Sequence, residues 1–210
     1  MSTSSSTHTV QPVRSRALAI ALVIVIAIGI VIATIIRATS SAASAVATST
    51  PTVHEFLTIV PGEMDGSKNG PSYVPTSLTL PAHAHVIVTI TDLDGSTPLT
   101  GGSVVYDKVT GVTNNEIAVT PIDVNNPNGT AGVTKTYSKV DPNVVGHTFT
   151  IAQLGINVPV PGTSRVTFSF NTGAPGVYSW RCNDPCGTGE TGWGGAMVMK
   201  GYMEGTITVQ

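Results

Sequence analysis

The chain of 210 residues carries 10 Lys and Arg against 12 Asp and Glu, a net charge of −2, with 22 Gly, 14 Pro and two Cys. That balance excludes a polybasic nucleic-acid binder, a coiled coil, a collagen and a multi-span membrane protein. Two cysteines can build neither a disulfide-dense scaffold nor a four-cysteine zinc site.

The first element is the run from Ala17 to Ile36, 20 residues without a charge and apolar except at Gly29 and Thr34. At 1.5 Å per residue a helix of that length spans about 30 Å, the thickness of a hydrocarbon core. Lipid offers the backbone no partners, so a Val/Ile-rich segment must be helical there despite its modest helix propensity. Arg14 and Arg16 precede the run, and after Arg37 the next cation is Lys68. The positive-inside rule therefore leaves residues 1–16 in the cytoplasm and exports the rest across the cell membrane. A cleaved signal peptide cut near Ala45-Val46-Ala47 is the competing reading; the length of the run and Arg37 at its exit favour a retained single-pass anchor. Residues 37–52 are a Ser/Thr/Ala-rich spacer. Beyond Arg37 the chain holds 7 cations and 12 anions, a mild bias toward a cationic partner and away from nucleic acid.

From residue 53 onward the pattern is that of strands. Period-two alternation sets Val86, Val88 and Ile90 on one face, then His147, Phe149 and Ile151. It continues with Val166, Phe168 and Phe170, with Tyr178, Trp180 and Cys182, and with Ile207 and Val209. Gly, Pro, Asn and Asp punctuate these runs, and no amphipathic helix of useful length follows residue 37. The expected fold is all-β, a Greek-key sandwich over residues 53–210, with an inserted excursion at about 97–142.

The chemistry concentrates in Cys182-Asn183-Asp184-Pro185-Cys186, with His147 upstream and Met203 downstream. Two thiols, an imidazole and a thioether suit copper better than zinc or a hard cation. The residues alone leave alternatives open. Cys182 and Cys186 could close a small disulfide loop in an oxidising compartment, and Met203 or His147 could be ordinary core. Trp180 and Trp193 read as packing. His83 and His85 share one strand face, as a chelating pair or a solvated strand. Asp92-x-Asp94-Gly95 opens like a calcium loop but lacks the remaining ligands and the closing Glu.

The chain resembles the cupredoxin domain of cytochrome c oxidase subunit II, in its short bacterial form with one N-terminal membrane helix. The resemblance is carried by His147-Thr148-Phe149, Gly155-Ile156-Asn157-Val158, Pro161-Gly162 and Val166–Phe170. It continues through Pro175-Gly176-Val177-Tyr178, Cys182-x3-Cys186-Gly187 and Met203–Val209; more weakly, Ser77–Thr91 looks like the family's preceding strand pair. It implies a cupredoxin-like sandwich and one or two copper ions. The ligands it implies are His147, the bridging thiolates Cys182 and Cys186, the backbone carbonyl of Asp184, and Met203. It also implies electron entry beside a haem-copper oxidase subunit I, fed by a soluble donor, rather than catalysis by this chain alone.

One position departs. Where the family has C-G-x-x-H, this chain has Glu190, and no histidine follows His147; a stretch at 191–202 also separates Glu190 from Met203. Three substitutes present themselves: Glu190 itself, Met197 or Met199, or one of His54, His83 and His85 folded across from another strand. The competing functions are a metal-free accessory subunit stapled by a Cys182–Cys186 disulfide, and a copper carrier. No nucleophilic triad, paired carboxylates or phosphate loop is visible.

Overall fold

The computed structural model describes residues 49–62, 70–186 and 196–210. The expected anchor at 17–36, most of the 37–52 spacer, Glu190 and residues 191–195, Trp193 among them, lie outside them. Among the described residues no helix is long and apolar enough to cross a membrane.

The described residues hold eleven strands in chain order. They are β1 (Thr52–Val60), β2 (Ser72–Val74), β3 (Ser77–Leu80), β4 (His85–Asp92), β5 (Ile117–Pro121) and β6 (Lys135–Tyr137), then β7 (Val145–Ile151), β8 (Ile156–Pro161), β9 (Ser164–Asn171), β10 (Gly176–Arg181) and β11 (Glu204–Val209). They form a six-stranded sheet in the order β2-β1-β4-β9-β5-β6 and a five-stranded sheet in the order β3-β11-β10-β7-β8. The expected β-sandwich is therefore present. The Ser77–Thr91 stretch does not form a pair, because β3 lies along β11 while β4 lies between β1 and β9.

The alternation explains which faces meet. Val86, Val88 and Ile90 of β4 and Val166, Phe168 and Phe170 of β9 point inward, and from the other sheet come Phe149, Ile151, Trp180, Ile207 and Val209. Tyr73, Phe149 and Trp180 stack with ring centroids 4.8–6.4 Å apart. Each such ring pair adds about 0.5–1.5 kcal/mol beyond the area it buries. The cluster borders His147, whose ring lies edge-on to Tyr73 at 6.5 Å.

Residues 97–142 leave the end of β4 and return at β7, lending β5 and β6 to the edge of the larger sheet. A 3-10 turn at Gly101–Asp107 and the segment after it lie over β8, where Asn157 donates to the carbonyls of Tyr106 and Lys108. Every residue of β7 is buried, on both faces.

Candidate metal centre

Four strand ends converge to build the site. β4 stops at Asp92, β7 starts at Val145, β10 stops at Arg181 just before Cys182, and β11 starts at Glu204 just after Met203. The pairing of β7 with β8 shifts register between Val145 and His147, which makes Gly146 an extra residue in the strand. A bulge of this kind re-aims the following side chain, and here that side chain is His147.

His147 Nδ1 lies 2.9 Å from Cys186 Sγ, and the two sulfurs lie 3.2 Å apart. A disulfide bond is about 2.05 Å long, so both cysteines are free thiols. The carbonyl oxygen of Asp184 lies 3.3 Å from Cys186 Sγ and 3.7 Å from Cys182 Sγ, and accepts from the Cys186 N–H at 2.7 Å. The backbone N–H of Thr148 donates to Cys182 Sγ at 3.3 Å. The loop is held by the Asn183 N–H donating to the Thr148 hydroxyl at 2.7 Å, and by the Cys182 N–H donating to the Met203 carbonyl at 2.8 Å. His147, Cys182, Asp184 and Cys186 are fully buried and Met203 nearly so.

The far side of the imidazole faces acid. Nε2 of His147 lies 3.3 Å from Asp94 Oδ2 and 4.0 Å from Asp92 Oδ1. Among the described residues, neither His147 Nε2 nor Asp92 Oδ2 nor either carboxylate oxygen of Asp184 completes a hydrogen bond.

These contacts shift the titrations. Burial would raise the Cys182 thiol, but the Cys186 thiol, His147 and the Thr148 N–H stabilise its anion and hold it well below the ordinary thiol range. Cys186 moves well above that range, through burial and the charge on Cys182. Burial disfavours imidazolium at His147, yet Asp92, Asp94 and Cys182 together hold the ring well above its ordinary value. Burial lifts Asp92 to about 7, against the pull of His147. Burial and the Cys182 charge lift Asp184 to about 8. One thiolate is thus already prepared as a soft donor.

The donor set fits a soft or borderline metal. Bonds of about 2.0–2.3 Å let donors up to about 4.6 Å apart share one ion; Cys186 Sγ lies 2.9 Å from His147 Nδ1 and 3.2 Å from Cys182 Sγ, well inside that reach. Two thiol sulfurs and an imidazole nitrogen are the ligand types that select copper over hard cations.

The remaining sequence candidates separate. Met203 is buried beside Cys182 through its backbone, Met197 is buried, and Met199 is exposed. His54 is exposed on β1, opposite Ile87 of β4. His85 opens β4 and its Nδ1 meets Asn171 Oδ1 at 3.1 Å; His83 sits in the turn before it, also exposed. At about 3.3 Å per strand residue, His85 is about 23 Å from the Asp92 end of its own strand. None of these three histidines therefore replaces the missing ligand. Trp180 is core, as read. The Asp92-x-Asp94 motif faces His147 instead of forming an open cation loop, a placement that crosses between sheets and carries no local sequence signal.

No protein-family model matches the chain, and no curated protein matches it. Among solved structures it is similar to a dithionite-reduced auracyanin from the photosynthetic bacterium Roseiflexus castenholzii, at 14% identity over 76% of this chain and 98% of that chain, TM-score 0.36. It is similar to auracyanin A of Chloroflexus aurantiacus, a "blue" copper protein, at 15% identity over 76% and 99%, TM-score 0.35. It is also similar to a purple cupredoxin from Nitrosopumilus maritimus, at 17% identity over 74% and 99%, TM-score 0.29. Likenesses of this size carry no weight for function, which rests on the site itself.

Proposed function

We propose that this chain is a cupredoxin-like, copper-binding electron-transfer module, tethered to the outer face of the cell membrane by residues 17–36 and similar in role to the electron-entry domain of cytochrome c oxidase subunit II. The observation that carries the reading is one buried cluster: two free thiols 3.2 Å apart with His147 Nδ1 2.9 Å from one of them. His147, Cys182, Cys186, the Asp184 carbonyl and Met203 are the residues that would hold copper. Copper there supplies one-electron exchange between its two oxidation states.

The chain's own residues do the rest. The fully buried donors exclude water, and strands β7, β10 and β11 pin them at the end of one sheet. The Thr148 N–H stabilises thiolate charge on Cys182. A donor frame that moves little when charge changes keeps the reorganisation cost of electron transfer low. Soft donors with one imidazole missing bias the centre toward a single copper or toward Cu(I). The exported surface, about −5 in formal charge by residue type, supports a cationic soluble donor.

Copper counted per chain after reduction and reloading, with the visible spectrum recorded, tests the reading. One or two coppers and intense thiolate-to-copper absorption are expected; a chain that shows no free thiols and takes up no copper establishes the disulfide-stapled accessory subunit instead. Protease added outside intact spheroplasts should degrade everything beyond Arg37, and a protected domain would reverse the orientation.

A further inference from the structure

The turn after β4 is built to reach His147. The Leu93 N–H donates to the Ile59 carbonyl at 2.9 Å and the Asp94 N–H to Asp92 Oδ1 at 2.8 Å. The Thr163 N–H donates to the Asp94 carbonyl at 2.9 Å, and the Ser96 hydroxyl to the Val144 carbonyl at 2.9 Å. Two glycines make room for it. A Cβ at Gly146 would come within 2.6 Å of the Gly95 carbonyl oxygen, and one at Gly162 within 2.5 Å of the Gly95 carbonyl carbon. The turn therefore lies tightly against the start of β7, and this approach brings Asp94 Oδ2 to 3.3 Å from His147 Nε2.

We infer that Asp94 is the positioning residue of the metal centre: its carboxylate holds the proton of His147 on Nε2, so that the Nδ1 lone pair is presented to the metal beside the two sulfurs. An imidazole ligates only through a nitrogen that carries no proton, so whichever group fixes the proton on one nitrogen selects the other as donor. Asp94 is the group in place for this. Asp92 Oδ1 stands 4.0 Å from Nε2 and is already occupied by the Asp94 N–H. At 3.3 Å the Asp94 contact is slightly long for a completed hydrogen bond, and among the described residues Nε2 has no other hydrogen-bond acceptor. The carboxylate also strengthens Nδ1 as a donor and, as a fixed anion, favours the more oxidised metal. The inference rests on the copper reading for the metal, but the Asp94–His147 contact exists without it.

The test uses the full chain as wild type, Asp94→Ala and Asp94→Asn. In the metal-free, reduced, 15N-labelled chain, the His147 Nε2 proton should exchange slowly in wild type and in Asp94→Asn, whose amide oxygen still accepts. It should be lost to fast exchange in Asp94→Ala. With copper ions as the probe, Asp94→Ala should weaken binding by 10–100-fold, the usual loss for such outer partners. Asp94→Asn should recover most of the affinity while raising the reduction potential. Unchanged Nε2 exchange in Asp94→Ala overturns the assignment. So does a copper affinity within twofold of wild type in that variant, or an unmoved potential in Asp94→Asn. If wild type binds no copper at all, the electron-transfer reading falls, and the exchange measurement still decides the role of Asp94.

Discussion

Strand β4 carries a polar residue at each end, and the fold treats them in opposite ways. His85, its first residue, is half-buried on the outer face and finds Asn171, its cross-strand neighbour, at 3.1 Å. Asp92, its last residue, is fully buried with one carboxylate oxygen unpaired among the described residues, and it faces a buried histidine whose Nε2 is likewise unpaired. A partly exposed side chain satisfies itself from neighbours or water at little cost, whereas each buried unpaired polar atom costs about 1–3 kcal/mol. The unsatisfied atoms of Asp92 and His147 lie behind the imidazole whose other nitrogen meets Cys186, and the unsatisfied Asp184 carboxylate belongs to the loop between the two free thiols; a bound cation there would offset part of the cost. The histidine that looks like half of a chelating pair in sequence is the inert one.

The strongest way to break this contrast is at the sulfurs. Cys182→Ser should abolish measurable copper binding while leaving the sandwich folded, judged by equilibrium dialysis beside circular dichroism. Copper uptake equal to wild type in that variant would place the metal elsewhere.

The next effect is a pH dependence in the metal-free chain. Asp184 keeps its proton up to about pH 8 in the fold, whereas the unfolded chain releases it near the ordinary value of about 4. Between those limits the folded state holds the extra proton, so raising the pH lowers stability through this group. Asp184→Asn has no proton to release. It should gain on wild type by about 2–4 kcal/mol as pH rises from 5 to 8, read from urea midpoints at both pH values. A difference that stays flat with pH would mean that Asp184 is ionised in the fold.

Smaller again is the close approach of the Asp94 turn to β7. Gly146→Ala places a Cβ 2.6 Å from a backbone oxygen and should cost about 1–3 kcal/mol of stability, with copper affinity falling as the turn is pushed off His147. At the other end of β4, His85→Ala should change stability by no more than about 0.5 kcal/mol and copper binding not at all. A loss of copper there would overturn the contrast between the two strand ends.

Legibility in the sequence follows the same division. Strands β4, β7, β9, β10 and β11 were readable because their apolar residues alternate without interruption, as in Val166, Phe168 and Phe170. Strand β1 was not, because Glu55 occupies the register of the inward Val53, Leu57 and Ile59; burial raises its carboxyl. Strand β2, only three residues long, carries too little pattern to see. At the site, motif order brings His147, Cys182 and Cys186 to attention, and the structure groups those three. The carboxylates behind His147 and the glycine gaps that admit them depend on how one sheet lies over the other. Nothing within a single strand encodes that.

The proposed copper centre is held by Cys182, Cys186 and His147 together. X-ray absorption at the copper edge of the loaded full chain tests this most directly. Sulfur scatterers at about 2.3 Å are expected together with a nitrogen of imidazole character at about 2.0 Å, the sulfur signal vanishing in Cys182→Ser. A first shell of nitrogen and oxygen alone, with both thiols still titratable, would contradict it.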